Sequence, residues 1–277
     1  MNDVFTERTP RVVAARKLTR RAGRDAAGKF LAEGPQAVRE ALAADLPPRE
    51  LFVTAAAAAR HPELLDAARV AGVPVSVVTD RAAAALSETA SPQGLVAVCL
   101  FLDVPLERAL TPAPRLVVLL ADVRDPGNAG TVLRSADAAG ADAVVLAGDS
   151  VDPYNGKAVR AGAGSLFHLP VVRGAALDAA LTAARAAGLT VLAADGAGER
   201  DLDDLPELAG PTAWLFGNEA WGLPPELGVR ADARVRIPIS PRAESLNLAA
   251  AAAVCLFTSA RAQRVAGGAG TGARAIP

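Results

Sequence analysis

From Phe30 onward the chain alternates short apolar runs with Ala-rich stretches whose apolar positions recur at helical spacing. FLAEG, LFVTA, VPVSVVT and LVAVCLFL read as strands, and PQAVREALAA, PELLDAARVAG and RAAAALSE as the helices between them. The pattern predicts a β-α-β-α-β-α-β unit of about 70 residues, the size of a small independent domain. Asp103–Pro114 has three prolines and no apolar periodicity, which predicts a linker. The pattern restarts at RLVVLLAD, an unbroken apolar run of the kind expected of a strand buried on both faces. A helix from Asn128 to Ala139, strand ADAVVLAG, a helix after Asp152, strand FHLPVV and helix Ala175–Ala187 follow. Strands LTVLAAD, TAWLFG and ARVRIPI and an apolar helix Leu246–Arg261 complete the series. The predicted fold class is α/β. A small α/β domain over residues 1–102 precedes a linker, 103–114, and a mostly parallel, doubly wound sheet over 115–263. A Gly/Ala-rich tail, 264–277, is expected to be disordered.

The chain has 277 residues, 51% of them hydrophobic, enough for a large core. Charges, Gly and Pro interrupt the apolar runs before any reaches the 20 or so residues of a membrane span. The start, MNDVFTERTP, has no apolar h-region, so a cytoplasmic protein is expected. Cys99 and Cys255 sit in the apolar runs VAVCLF and AAVCLF, as buried thiols do, and with only His61 and His168 no metal site is expected. A net charge of -1 argues against a surface coated in positive charge. Its distribution changes that picture: Arg11, Arg16, Lys17, Arg20, Arg21, Arg24 and Lys29 face a single acid, Asp25, over one short stretch. That stripe suits RNA phosphates; a solvated arm is the other reading.

Three stretches place Gly, Asn, Glu or Ser at strand ends, where open α/β sheets bind ligands. They read N-x-G-x-x-x-R over Asn128–Arg134, G-N-E-x-x-G-L over Gly217–Leu223, and I-P-x-x-x-x-x-E-S-L-N over Ile237–Asn247. Asn128 can cap the following helix, and Arg134 on its first turns can stay a surface residue or grip a phosphate or ribose with its planar fork. Gly217 permits a tight turn, and Glu219 either complements a helix dipole or faces a ligand. Ser245 reads as the N-cap of the last helix, which leaves Asn247 in its first turn needing a partner from ligand, subunit or backbone.

In this order and at these separations the three motifs resemble the SpoU (TrmH) family of RNA ribose 2′-O-methyltransferases. The opening KLTRRAGRDAAGKFLAEGPQAVREAL, with R-x-x-x-G-x-F-x-x-E-G over Arg24–Gly34, is similar to the L30e-like substrate-binding domain found in many members. The resemblance implies a C-terminal α/β trefoil-knot (SPOUT) domain, S-adenosylmethionine as cofactor, and a homodimer. It implies cofactor contacts at Leu215, Gly217, Ile237 and Leu246, and catalytic roles for Arg134, Asn128, Glu219, Ser245 and Asn247. RNA contacts are expected from Arg16, Lys17, Arg20, Arg21, Arg24 and Lys29. Ser240 and Pro241 depart from the family pattern, within the cofactor loop.

The implied reaction moves a methyl group from a sulfonium to a ribose 2′-hydroxyl. A guanidinium stays protonated in proteins, so Arg134 is expected to act as an electrostatic clamp on developing alkoxide charge. Glu219 or an RNA phosphate would help with the proton, and Asn128, Ser245 and Asn247 would orient the ribose and Arg134. The separate small domain favours 23S rRNA as substrate, with tRNA, or RNA binding without catalysis, as the alternatives. A dinucleotide oxidoreductase fits less well, because DPGNAGTVL lacks the G-x-G-x-x-G spacing.

Overall fold

A computed structural model describes residues 4–268. They form two compact units: one of residues up to Leu102 with Pro126–Arg134 and Asp152–His168, the other of Asp103–Asp125, Ser135–Val151 and the chain from Leu169 on.

The first unit is built on β1 (Lys29–Glu33), β2 (Glu50–Thr54), β3 (Val75–Val78) and β4 (Leu95–Leu100), in the order β1-β4-β2-β3. β2 and β3 are parallel, as a helical crossover requires, whereas β4 runs antiparallel to both neighbours. Gly28, at φ 61, ends the helix Arg21–Ala27 in the left-handed conformation, and the chain enters β1 directly. Phe30, Leu51, Phe52 and Leu95 are among the fully buried core side chains. The segment Asp152–His168 supplies part of this core, although its sequence reads as part of the C-terminal sheet domain. The Tyr154 ring lies 4.7 Å from Phe30 and 4.3 Å from Phe101, and its hydroxyl accepts the Leu102 N–H at 2.6 Å.

The second unit is a seven-stranded parallel sheet: β5 (Leu116–Ala121), β6 (Ala143–Ala147), β7 (Val171–Ala175), β8 (Thr190–Ala194), β9 (Arg200–Asp201), β10 (Thr212–Phe216) and β11 (Ala233–Arg236), in the order β7-β6-β5-β10-β8-β11-β9. β5, β6 and β10 are buried at every position, which is why they read as unbroken apolar runs. Trp214 in β10 is fully buried, and its indole N–H donates to the Ser259 hydroxyl of the last helix at 2.8 Å. Cys99 and Cys255 are buried, and burial pushes both thiols far above their ordinary range.

Several boundaries differ from the sequence reading. FHLPVV is not one strand: Ser165–Phe167 makes a 3-10 turn, and β7 begins only after Pro170, which has no N–H to give a ladder. The stretch 103–114 contains a helical turn, Leu106–Ala109, and buries Ala109 and Leu110 in the second unit's core. The last helix spans Leu248–Ala266, entering the stretch expected as a disordered tail. The rest of that tail, 269–277, lies outside the described residues. Among the described residues no helix is long and apolar enough to cross a membrane, and no His, Cys, Asp and Glu cluster could hold a metal ion.

Candidate active site

The central strands β10, β8 and β11 end side by side, and the loops that follow them line a cavity of about 350 Å³. At the end of β10 only glycine fits at position 217. A Cβ there would lie 2.3 Å from the Gly222 carbonyl oxygen and 2.6 Å from the Leu223 nitrogen. The turn folds back on itself, with Asn218 and Gly222 exchanging backbone N–H bonds at 2.9 Å, and Gly222 takes φ 67.

Asn218 and Glu219 tie this turn to the loop after β5. The Asn218 side chain, 5% exposed, donates to the Asp122 carbonyl at 2.7 Å and accepts the Ala220 N–H at 2.8 Å. Asp122 has φ 55, a left-handed geometry that Asp tolerates better than most residues, and its carboxylate accepts the Asp149 N–H at 2.7 Å. The two Glu219 carboxylate oxygens accept the N–H groups of Arg124 and Asp125, each at 3.0 Å. Both oxygens are thus engaged in bracing backbone. The sequence shows Asn218 only as part of the G-N-E motif; a buried amide directly after a strand-ending glycine was the available signal.

On the opposite wall, Ile237 follows β11 and leads into a non-helical stretch through Asn247. Asn247, not Ser245, caps the last helix: its side-chain oxygen accepts the Ala249 N–H at 2.9 Å and the Ala250 N–H at 3.3 Å. This corrects the expected cap and gives the Asn247 amide a backbone partner. Ser245 lies before the helix and lines the cavity with Glu244, Leu246 and Leu248.

The cavity thus brings together Gly217, Glu219, Ile237, Ser245 and Leu246 of the expected site residues, with Asn247 capping the helix next to them. Leu215 does not line it, and its side chain is fully buried in the sheet core. Asp195, Gly196, Ile239 and Glu244 line the cavity as well and were not expected. Asn128 and Arg134 belong to the first unit. Arg134 is exposed, on the helix Pro126–Ala139, whose Val132, Leu133 and Ala136 are buried as its apolar stripe requires. At Gly130 that helix meets the helix Gly156–Gly162 so closely that a Cβ would lie 2.3 Å from the Ala158 carbonyl oxygen.

Of the expected RNA-contacting residues, Arg16, Lys17, Arg20 and Arg21 are exposed and Lys29 is half-buried. Arg24 is a correction. It is 3% exposed, pairs with Asp152 at 2.8 Å, and donates to the Leu18 and Thr19 carbonyls at 3.1 Å. Its guanidinium is consumed inside the first unit's core.

A parallel sheet whose strands end in a cavity lined by glycines, apolar side chains and the carboxylates of Asp195, Glu219 and Glu244 has the ligand-binding geometry of an α/β enzyme domain. Residues 115–257 match the SpoU rRNA Methylase family, and residues 9–97 match the MRM3-like substrate binding domain. Among its relatives, the 23S rRNA (guanosine(2553)-2′-O)-methyltransferase RlmP of Bacillus subtilis is 34% identical, over 93% of this chain and 98% of that protein. The AdoMet-bound rRNA methyltransferase of Sinorhizobium meliloti superposes with a TM-score of 0.82 at 34% identity, covering 94% of this chain and 97% of that one. AviRb of Streptomyces viridochromogenes, a SpoU methyltransferase also solved with AdoMet, gives 0.80 at 32% identity, covering 93% and 99%. The chain belongs to the SpoU family of rRNA methylases.

Proposed function

We propose that the protein transfers the methyl group of S-adenosylmethionine to a ribose 2′-hydroxyl of 23S rRNA. The observation that carries this reading is the cavity at the ends of β8, β10 and β11. It suits the cofactor: Ile237, Ile239, Leu246 and Leu248 offer apolar surface to a purine, and Gly196 and Gly217 carry no side chain to keep a ligand from the backbone. Asp195, Glu219 and Glu244 place carboxylates around it, which favours a cationic ligand. When bound, the cofactor supplies an electrophilic methyl on a sulfonium that becomes a neutral thioether as the methyl leaves.

The chain's own residues orient and stabilise. Arg134 presents an exposed fork of donors and is the proposed clamp for negative charge on the attacking ribose oxygen, with Asn128 orienting it. The two backbone bonds held by Glu219 support a positioning role for it, fixing the loop before the helix that carries Arg134. The 2′-hydroxyl proton then passes to an RNA phosphate or solvent. Ser245 is the proposed contact to the ribose, and Asn247 keeps the helix start in place. Arg16, Lys17, Arg20, Arg21 and Lys29 are the proposed phosphate contacts. Val254 and Phe257, 40% and 39% exposed on the last helix, support a homodimer through that face. The trefoil knot is proposed for the stretch running into Leu246, and an rRNA substrate supports a cytoplasmic location.

The test is nucleoside mass spectrometry after incubating the protein and S-adenosylmethionine with unmodified 23S rRNA and, separately, tRNA transcripts. A 2′-O-methylated nucleoside from 23S rRNA is the expected result. Product from tRNA alone would overturn the substrate, and cofactor binding with no product from either would leave a non-catalytic RNA-binding protein.

A further inference from the structure

The loop after β8 forms one wall of the cavity through Asp195 and Gly196, passes over the end of β11, and returns as β9 on its far side. Backbone alone fastens it at few points: the Asp195 N–H donates to the Val235 carbonyl at 2.9 Å, and the short β9 pairs with Val235 and Arg236. Two arginines on alternate positions of β11 do the rest. Arg234 donates to the Glu199 carboxylate at 3.0 Å and to the Ala197 carbonyl at 3.1 Å, and lies 3.7 Å from the Asp195 carboxylate. Arg236 donates to the Gly198 carbonyl at 3.0 Å and pairs with Asp201 through two nitrogens, at 2.6 and 2.8 Å. Gly198 sits so close to this strand that a Cβ would lie 2.7 Å from the Val235 carbonyl carbon. The Arg234 hydrogen bond also holds the Glu199 carboxyl below the usual carboxylate range. Two planar forks thus span five residues of one loop, and Arg236 directly precedes Ile237 on the opposite wall.

We propose that Arg234 and Arg236 are positioning residues for the cofactor: they clamp the loop Asp195–Asp201 onto β11 and preform the wall that S-adenosylmethionine meets. The inference rests on the reading of this cavity as the cofactor site. Neither side chain lines the cavity, so the arginines act through the loop. A loop released by their loss must be ordered again at each binding event, which weakens affinity without altering the methyl-transfer step once the cofactor is bound.

The test compares wild type with R234Q, R236Q and the double variant by calorimetric titration with S-adenosylmethionine and by steady-state methylation. In the double variant Kd rises about 10-fold or more while kcat at saturating cofactor stays within about threefold. R39Q, which breaks the exposed Arg39–Glu63 pair at 3.7 Å in the first unit, is the control and leaves Kd within about twofold. R234K, keeping the charge without the fork, falls between. If the arginine variants unfold, E199Q probes the same clamp from its exposed end. Wild type that binds the cofactor beside folded variants of unchanged Kd would overturn the clamp alone. So would kcat falling as far as kcat/KM. Wild type that binds no S-adenosylmethionine would instead overturn the cofactor reading itself.

Discussion

Arg24 separates two accounts of the basic N-terminal stretch. Replacing it with Met leaves the Asp152 carboxylate, 3% exposed, without its cation, and the Leu18 and Thr19 carbonyls without their donor. Asp152 keeps one bond, from the Tyr154 N–H at 3.0 Å. Removing one partner of a buried, hydrogen-bonded ion pair costs about 3–5 kcal/mol. At about 4 °C for each kcal/mol in a unit of this size, R24M lowers the melting temperature by about 12–20 °C. Calorimetry with R24M, R20A and the double variant R24M/D152L checks this. R20A, at an exposed position, leaves the melting temperature unchanged and weakens RNA binding. R24M/D152L recovers part of the loss, since the stranded charge is gone while the Leu18 and Thr19 carbonyls still lack the Arg24 donor and the Tyr154 N–H loses the Asp152 oxygen. An R24M protein that melts with wild type but binds RNA poorly would refute the reasoning and return Arg24 to the RNA-contacting surface.

G217A forces the turn after β10 open, because its Cβ would meet the Gly222 carbonyl at 2.3 Å; titration with S-adenosylmethionine should show binding lost. E219Q keeps the shape but puts one amide oxygen and one NH2 donor where two carboxylate oxygens accept the Arg124 and Asp125 N–H groups, so one of the two braces is lost; kcat should fall about 10-fold, with a smaller rise in cofactor Kd. N247A removes the cap of the last helix and costs about 1 kcal/mol in denaturant unfolding, whereas S245A costs nothing measurable. Acidity should loosen the loop Asp195–Asp201: the folded-state pKa of Glu199 lies below its ordinary value of 4.5, so its stabilising contribution is present above that value and is lost as pH falls through the depressed one. Cofactor affinity followed from pH 6 downward through this range should decline in wild type and stay flatter in E199Q.

The strands were legible because the second sheet is parallel and buried on both faces, so β5, β6 and β10 carry no polar interruption. The site glycines were legible for a related reason, since Gly217 closes an apolar run at a place where no side chain fits. What escaped depends on partners distant in sequence. Arg24 is one of seven cations when read locally, and its acid lies 128 positions away. The unit boundary was hidden likewise, because Tyr154 belongs by sequence to the second sheet and by packing to Phe30 and Phe101. The helix cap was misread by two residues: Ser and Asn are both good caps, and only the backbone geometry after Pro241 chooses between them.

Glu219 grips its neighbour loop by amide N–H groups, and this has an evolutionary consequence. Every residue type except proline supplies that donor, so the side chains at Arg124 and Asp125 can be exchanged without unfastening the loop. The anchor and the surface it carries are therefore inherited separately. Relatives can drift at these two positions while the brace persists, the brace itself excluding only proline.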